Sequence, residues 1–241
     1  MSTTTPATAV PADAATDRAA ASVWPLRIAG GLLVLTPLLV AGGFATSPPQ
    51  ASDSGSDYAA SLGADPVVTG ISAAFLHYGW VALVFGAFAA VAMVRGRRGR
   101  GLTTVGAAAT AFGAVQMSGL LLSDHYLASM SNRVGPDVAG AVLESLDAGV
   151  PWVQVWLLTG KVFGLLGPAV LMAGLARAGV IGWWAVPGWL AMWFLAPMLG
   201  SMVGVVATAA LTVLCGAPLV VLGVRMIRRG SPDVVAAGRA V

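Results

Sequence analysis

The sequence predicts an all-α polytopic membrane bundle of six transmembrane helices, with both termini on the cytoplasmic side. Three observations predict it. Hydrophobic residues make up 57% of the chain and charged residues only 10%, with a mean hydropathy of +0.84, whereas a soluble domain carries about a quarter charged residues. The apolar residues fall into runs near the ~20 residues that a helix needs to cross a bilayer. Arginines collect in alternate connections between those runs, the pattern that orients membrane proteins.

Residues 1–24 are rich in Ala, Thr, Pro and Asp and show no hydrophobic period, which predicts a disordered cytoplasmic tail. The first span, Leu26 to Thr46, is longer than the ~7–15 residues of a cleaved leader. A peptidase site at Ala45-Thr46-Ser47 stays open as an alternative. The second span runs from Val67 to Val94 and stops at an arginine cluster, and the third runs from Leu102 to Leu127. Between spans one and two, residues 47–66 hold turn formers around a helical turn at Tyr58 to Leu62.

Residues 128–150 predict a short amphipathic helix on the outer surface. Pro136 and Asp137 suit its start, Val138, Val142 and Leu146 recur at helical spacing, and Gly149 suits its stop. The fourth span is Pro151 to Ala176, the fifth Ile181 to Met198 and the sixth Met202 to Val224. The tight link between the last two predicts a hairpin. Pro187, Pro197 and Pro218 interrupt these two helices, as membrane helices tolerate. Residues 229–241 form a second cytoplasmic tail.

Six spans place Arg18, Arg27, Arg95, Arg97, Arg98, Arg100, Arg177, Arg225, Arg228, Arg229 and Arg239 on one face. The other face carries Asp53, Asp57, Asp65, Asp137, Glu144 and Asp147, with Arg133 as its only basic residue. The arginine face is therefore the cytoplasmic one. Trp80, Trp152 and Trp156 toward the outside, and Trp183 and Trp184 toward the inside, read as interfacial anchors.

The net charge of +3 does not indicate nucleic-acid binding, because the basic residues sit at span ends rather than on one soluble face. The lipid bilayer is the expected partner, and Arg95, Arg97, Arg98 and Arg100 are placed to attract anionic lipid headgroups. The lone cysteine, Cys215, lies in an apolar run and reads as a small hydrophobe.

Ionisable side chains inside spans are costly and are functional-site candidates by default. Here they are His77, Asp124, His125 and Lys161, with Gln116 at a similar level. Helical rise places His77 on the order of 10 Å below the outer surface and Lys161 roughly 14 Å, close to mid-membrane; Asp124 and His125 lie about 3–5 Å in. Lys161 is the only lysine, and a buried ammonium, unlike a guanidinium, can lose its proton. One reading makes it a proton-linked or anion-binding group. The other, favoured from the sequence, is a structural ion pair in which Lys161 reaches toward Asp124 and pins the third helix to the fourth.

A bis-histidine haem does not fit. In the hairpin of spans two and three His77 should lie level with residue 119 or 120, so His125 is roughly 8 Å too high. Adjacent residues on a helix point about 100° apart, so Asp124 and His125 do not converge with His77 on a metal. His77 is expected to hydrogen-bond across a helix interface instead. The sequence holds no Gly-x-Ser-x-Gly, no His-Glu-x-x-His, no phosphate loop and no Cys-x-x-Cys. It therefore implies no catalytic residue, no metal and no cofactor.

From Phe163 to Trp193 the chain reads Phe163-Gly164-Leu165-Leu166, then Gly174-Leu175-Ala176-Arg177-Ala178-Gly179-Val180-Ile181, then Trp183-Trp184 and Gly188-Trp189-Leu190. This resembles the helix–Arg-small-Gly turn–Trp–helix hairpin of uncharacterised multi-pass membrane proteins of high-GC bacteria. The resemblance implies a bacterial cell (inner) membrane and carries over no catalytic residue. Three functions follow as expectations. A structural, accessory or sensory membrane protein comes first, a small proton-coupled transporter using Lys161, His77, Gln116 and Asp124 second, and a membrane redox or enzyme subunit third.

Overall fold

The structure, a computed structural model, describes residues 12–229. Of the expected tails, residues 1–11 and 230–241 lie outside the described residues. The described chain is helical, with no strand. Helix α1 spans Ala12–Thr46, α2 Gly55–Ala64, α3 Pro66–Ala90, α4 Arg100–Val134, α5 Pro136–Gly149 and α6 Pro151–Arg177. Four shorter helices follow: α7 Ala185–Trp193, α8 Leu195–Val203, α9 Val205–Cys215 and α10 Ala217–Arg229. The predicted N-terminal tail is helical from Ala12 onward, continuous with the first span.

Among the described residues four segments are long and apolar enough to cross a membrane: Trp24–Thr46, Pro66–Met93, Arg100–Val134 and Pro151–Arg177. Helices α9 and α10, bent by 46°, count as a fifth if taken together. The predicted fifth and sixth spans are thus broken pieces. The prolines explain the breaks. Pro187, Pro197 and Pro218 stand at the third, third and second positions of α7, α8 and α10. There a missing N–H leaves no helical bond unmade, so proline starts a helix more readily than it continues one. The reversal between α8 and α9 falls at Gly204, whose φ of 95° suits glycine.

The tightest packing is between α4 and α6, which run antiparallel. A Cβ at Gly113 would be driven into the backbone of Phe163 and Gly164, so this contact requires a bare glycine. The same register sets Gln116 beside Gly160 and Gly119 beside Trp156. Helix α3 packs between α1 and α4, and α9 and α10 lie along the other side of α1. Helix α7 fills the remaining gap, where Trp80, Trp189 and Trp193 meet in the core. The expectation for Trp80 is corrected here: it is 4% exposed and stacks on Trp193 at 4.8 Å. Trp152, Trp156, Trp183 and Trp184 are exposed.

One end of the bundle gathers the arginines. Arg229 donates to the Met93 carbonyl at 2.7 Å, and Arg225 donates to the Val180 carbonyl. These bonds bring the end of α10 beside the end of α3 and the turn after α6. Helices α2 and α5 lie at the opposite end.

Candidate functional site

Helix α4 has 35 residues, about 52 Å of rise, which exceeds the ~30 Å hydrocarbon core. Its last turns carry α2 and α5 on Leu127 and Ala128, against Ala59, Leu62 and Ala139. Helix α5 has the predicted bounds. It buries Ala139 and Gly140, while Val138, Val142 and Leu146 stay exposed. Capping fixes the cap's geometry. Ser54 accepts from the Asp57 amide, Asp65 accepts from the amides of Val67 and Val68, and Glu144 accepts from the Gly55 amide at 3.0 Å.

Asp124 sits under this cap. Its Oδ1 accepts a hydrogen bond from the Tyr58 hydroxyl at 2.7 Å. Burial, and then the Asp124 carboxylate beside it, hold the Tyr58 phenol well above the usual tyrosine range. On one side of the pair is a cavity of about 250 Å³ reached by Gln50, Ser61, Thr69 and Ser72. The hydroxyls of all three of Ser61, Thr69 and Ser72 are already donated to backbone carbonyls, of Tyr58, Leu62 and Gly43 respectively. On the other side is an open groove of about 550 Å³ between α4 and α5, lined by Tyr126, Arg133, Val142 and Leu146 among others.

The remaining candidates lie apart. His77 Nδ1 and Ser118 Oγ are 2.6 Å apart across α3 and α4, the cross-helix bond expected of this histidine. His125 lies two turns further out and is exposed, and both rings line a groove of about 400 Å³ with Ser118 and Gly119. Gln116 Oε1 accepts from the Thr159 hydroxyl at 2.9 Å, tying α4 to α6. Among the described residues no three His, Cys, Asp or Glu side chains are placed to hold a metal ion.

Lys161 is not paired with Asp124, which corrects the ion pair favoured from the sequence. The α4–α6 register puts Lys161 level with Gln116, so Asp124 lies roughly 12 Å further along α4 toward the α2–α5 cap. Asp124 also turns to Tyr58 on the cap, whereas Lys161 is on the exposed face of α6. Tyr58 and Thr159 were not among the candidates from sequence. The only signal for Tyr58 was an aromatic residue in a helical turn of the first outer loop. Comparison with family models, curated proteins and solved structures finds no match to this chain, so function is argued from these residues alone.

Proposed function

We propose that this chain is an accessory or sensory protein of a bacterial cytoplasmic membrane, with both termini inside and no reaction of its own. Its six crossings are α1, α3, α4, α6, the broken run α7–α8 and the bent run α9–α10. The gathering of Arg95, Arg97, Arg98, Arg100, Arg177, Arg225 and Arg228 as exposed side chains toward one end supports this orientation. The cluster from Arg95 to Arg100 is read as a contact for anionic lipid headgroups. The cap of α2 and α5 then stands on the outer surface.

The observation that carries the functional reading is dispersal. Ionisable residues on a transport path face one interior or water-filled cavity. Here Gln116 is engaged by Thr159, His77 by Ser118 and Asp124 by Tyr58, while Lys161 faces outward from α6. Each of the three engaged groups serves a different pair of elements, which is the work of a scaffold.

The test is passive proton flux into vesicles that hold a pH-sensitive dye and the reconstituted full chain. The expected flux equals that of protein-free vesicles and does not respond to His77→Ala or Lys161→Met. Flux above that level, lost on either substitution, refutes the reading and brings forward the carrier alternative. One observation favours that alternative: His77 and His125 line the same groove.

A further inference from the structure

Lys161 is the chain's only lysine and is exposed near the middle of α6. It belongs to a stripe of Leu157, Leu158, Lys161 and Leu165, the spacing with which one helix face meets another. Helix α4 covers the adjoining side of α6 at Gly160, Gly164 and Gly167, about 100° round the helix from Lys161. At the inner end of the stripe α7 takes over, where the Trp189 indole donates to the Leu165 carbonyl at 2.7 Å. Further out α7 ends at Trp193 and α8 packs along α9. Leu158 there is 63% exposed.

An ammonium without a counter-charge at mid-membrane depth is costly. The outer boundary is roughly 14 Å away by helical rise, further than a four-carbon stem spans. A neutralising carboxylate is the chemistry that this position calls for, and among the described residues none supplies it. Of the chain's ten acidic residues, only Asp124 lies within an apolar run, and it is held by Tyr58 well above this level. A second copy docked through the same face would bring two ammonium groups together.

We infer that the outer half of this α6 stripe docks a transmembrane helix of another protein, one that carries a carboxylate at mid-membrane depth to pair with Lys161. This rests on the accessory reading and names the class of partner that such a protein would hold.

The test uses the full chain, donor-labelled, in phosphatidylcholine vesicles with an acceptor-labelled leucine–alanine transmembrane peptide. The peptide carries either one central aspartate or leucine at that place. Wild type should bind the aspartate peptide about tenfold more tightly, the size of one strong interhelical polar contact. Lys161→Arg should keep the preference, and Lys161→Met should abolish it without moving the thermal unfolding of the chain. Leu158→Trp, which blocks the face and leaves the charge, should weaken both peptides. Equal binding of the two peptides by wild type overturns the proposal, as does a preference that survives Lys161→Met. Energy transfer between two labelled copies that Leu158→Trp removes would also overturn it, by assigning the face to self-association. Proton flux through the reconstituted chain would sink the accessory reading without altering the peptide result, so the two failures are distinguishable.

Discussion

Replacing Tyr58 by Phe should loosen the cap of α2 and α5 and leave the rest of the helix bundle intact. The substitution keeps the ring and removes only the hydroxyl that donates to Asp124. A hydrogen bond to a charged acceptor contributes about 1.5–3 kcal/mol when buried. Tyr58 and Asp124 are both half-buried, and a polar cavity adjoins them, so water can replace part of the lost bond. That discount brings the expected loss to about 1–1.5 kcal/mol. Helix α2 retains its other anchors, Ala59 and Leu62 in the small apolar cluster and the bond from the Gly55 amide to Glu144. The loss should therefore appear as local opening rather than global unfolding.

Amide hydrogen exchange reads this directly. Protection across α2 should fall roughly five- to tenfold, while α6 keeps its wild-type rates. Asp124→Asn should have a smaller effect, because an amide oxygen still accepts from the phenol. Unchanged protection of α2 in Tyr58→Phe would refute the reasoning, since it would mean that the hydroxyl contributes nothing to docking the cap.

Two further predictions follow from the same geometry. Trp80→Ala removes a core indole stacked on Trp193 and should cost about 3–5 kcal/mol, whereas Trp152→Ala, 80% exposed, should cost less than about 0.5 kcal/mol; denaturant unfolding in one detergent compares them, and equal losses would contradict the core placement. Because the Tyr58 phenol is held above its ordinary value, folding favours its protonated form, so its contribution is complete below about pH 10 and is lost as the pH rises beyond that. Between pH 8 and pH 11 wild type should lose more stability than Tyr58→Phe, and equal losses would contradict the assignment.

The long helices were legible because length and hydropathy act locally. An apolar run of bilayer length that starts at proline, as at Pro66 or Pro151, gives its own beginning, and so did the short α5 from Pro136 to Gly149. The region after Ala185 was harder for the opposite reason. A proline in an apolar run can kink a helix or begin a new one, and only the packing of α7 into the gap between α6 and α9 decided it. Trp80, nearly four turns inside α3, was misplaced because its partner Trp193 lies 113 positions away in sequence.

The candidate site was legible as a set of residue types and not as a set of contacts. His77 was read with its cross-helix bond because a mid-span polar side chain on an antiparallel hairpin faces a computable level, and Ser118 lies near that level. The Lys161–Asp124 pair failed on two quantities that helical rise alone does not give, the α4–α6 register and the azimuth of each side chain. Tyr58 escaped notice because nothing local says that its loop folds back over α4.

The central claim is that these polar groups act in separate places. A double-mutant cycle on unfolding free energy, with Asp124→Asn, Lys161→Met and the two combined, tests it most directly. Independent sites predict that the two effects add to within about 0.5 kcal/mol. A coupling of about 1 kcal/mol or more would place the carboxylate and the ammonium in one shared site and contradict the account.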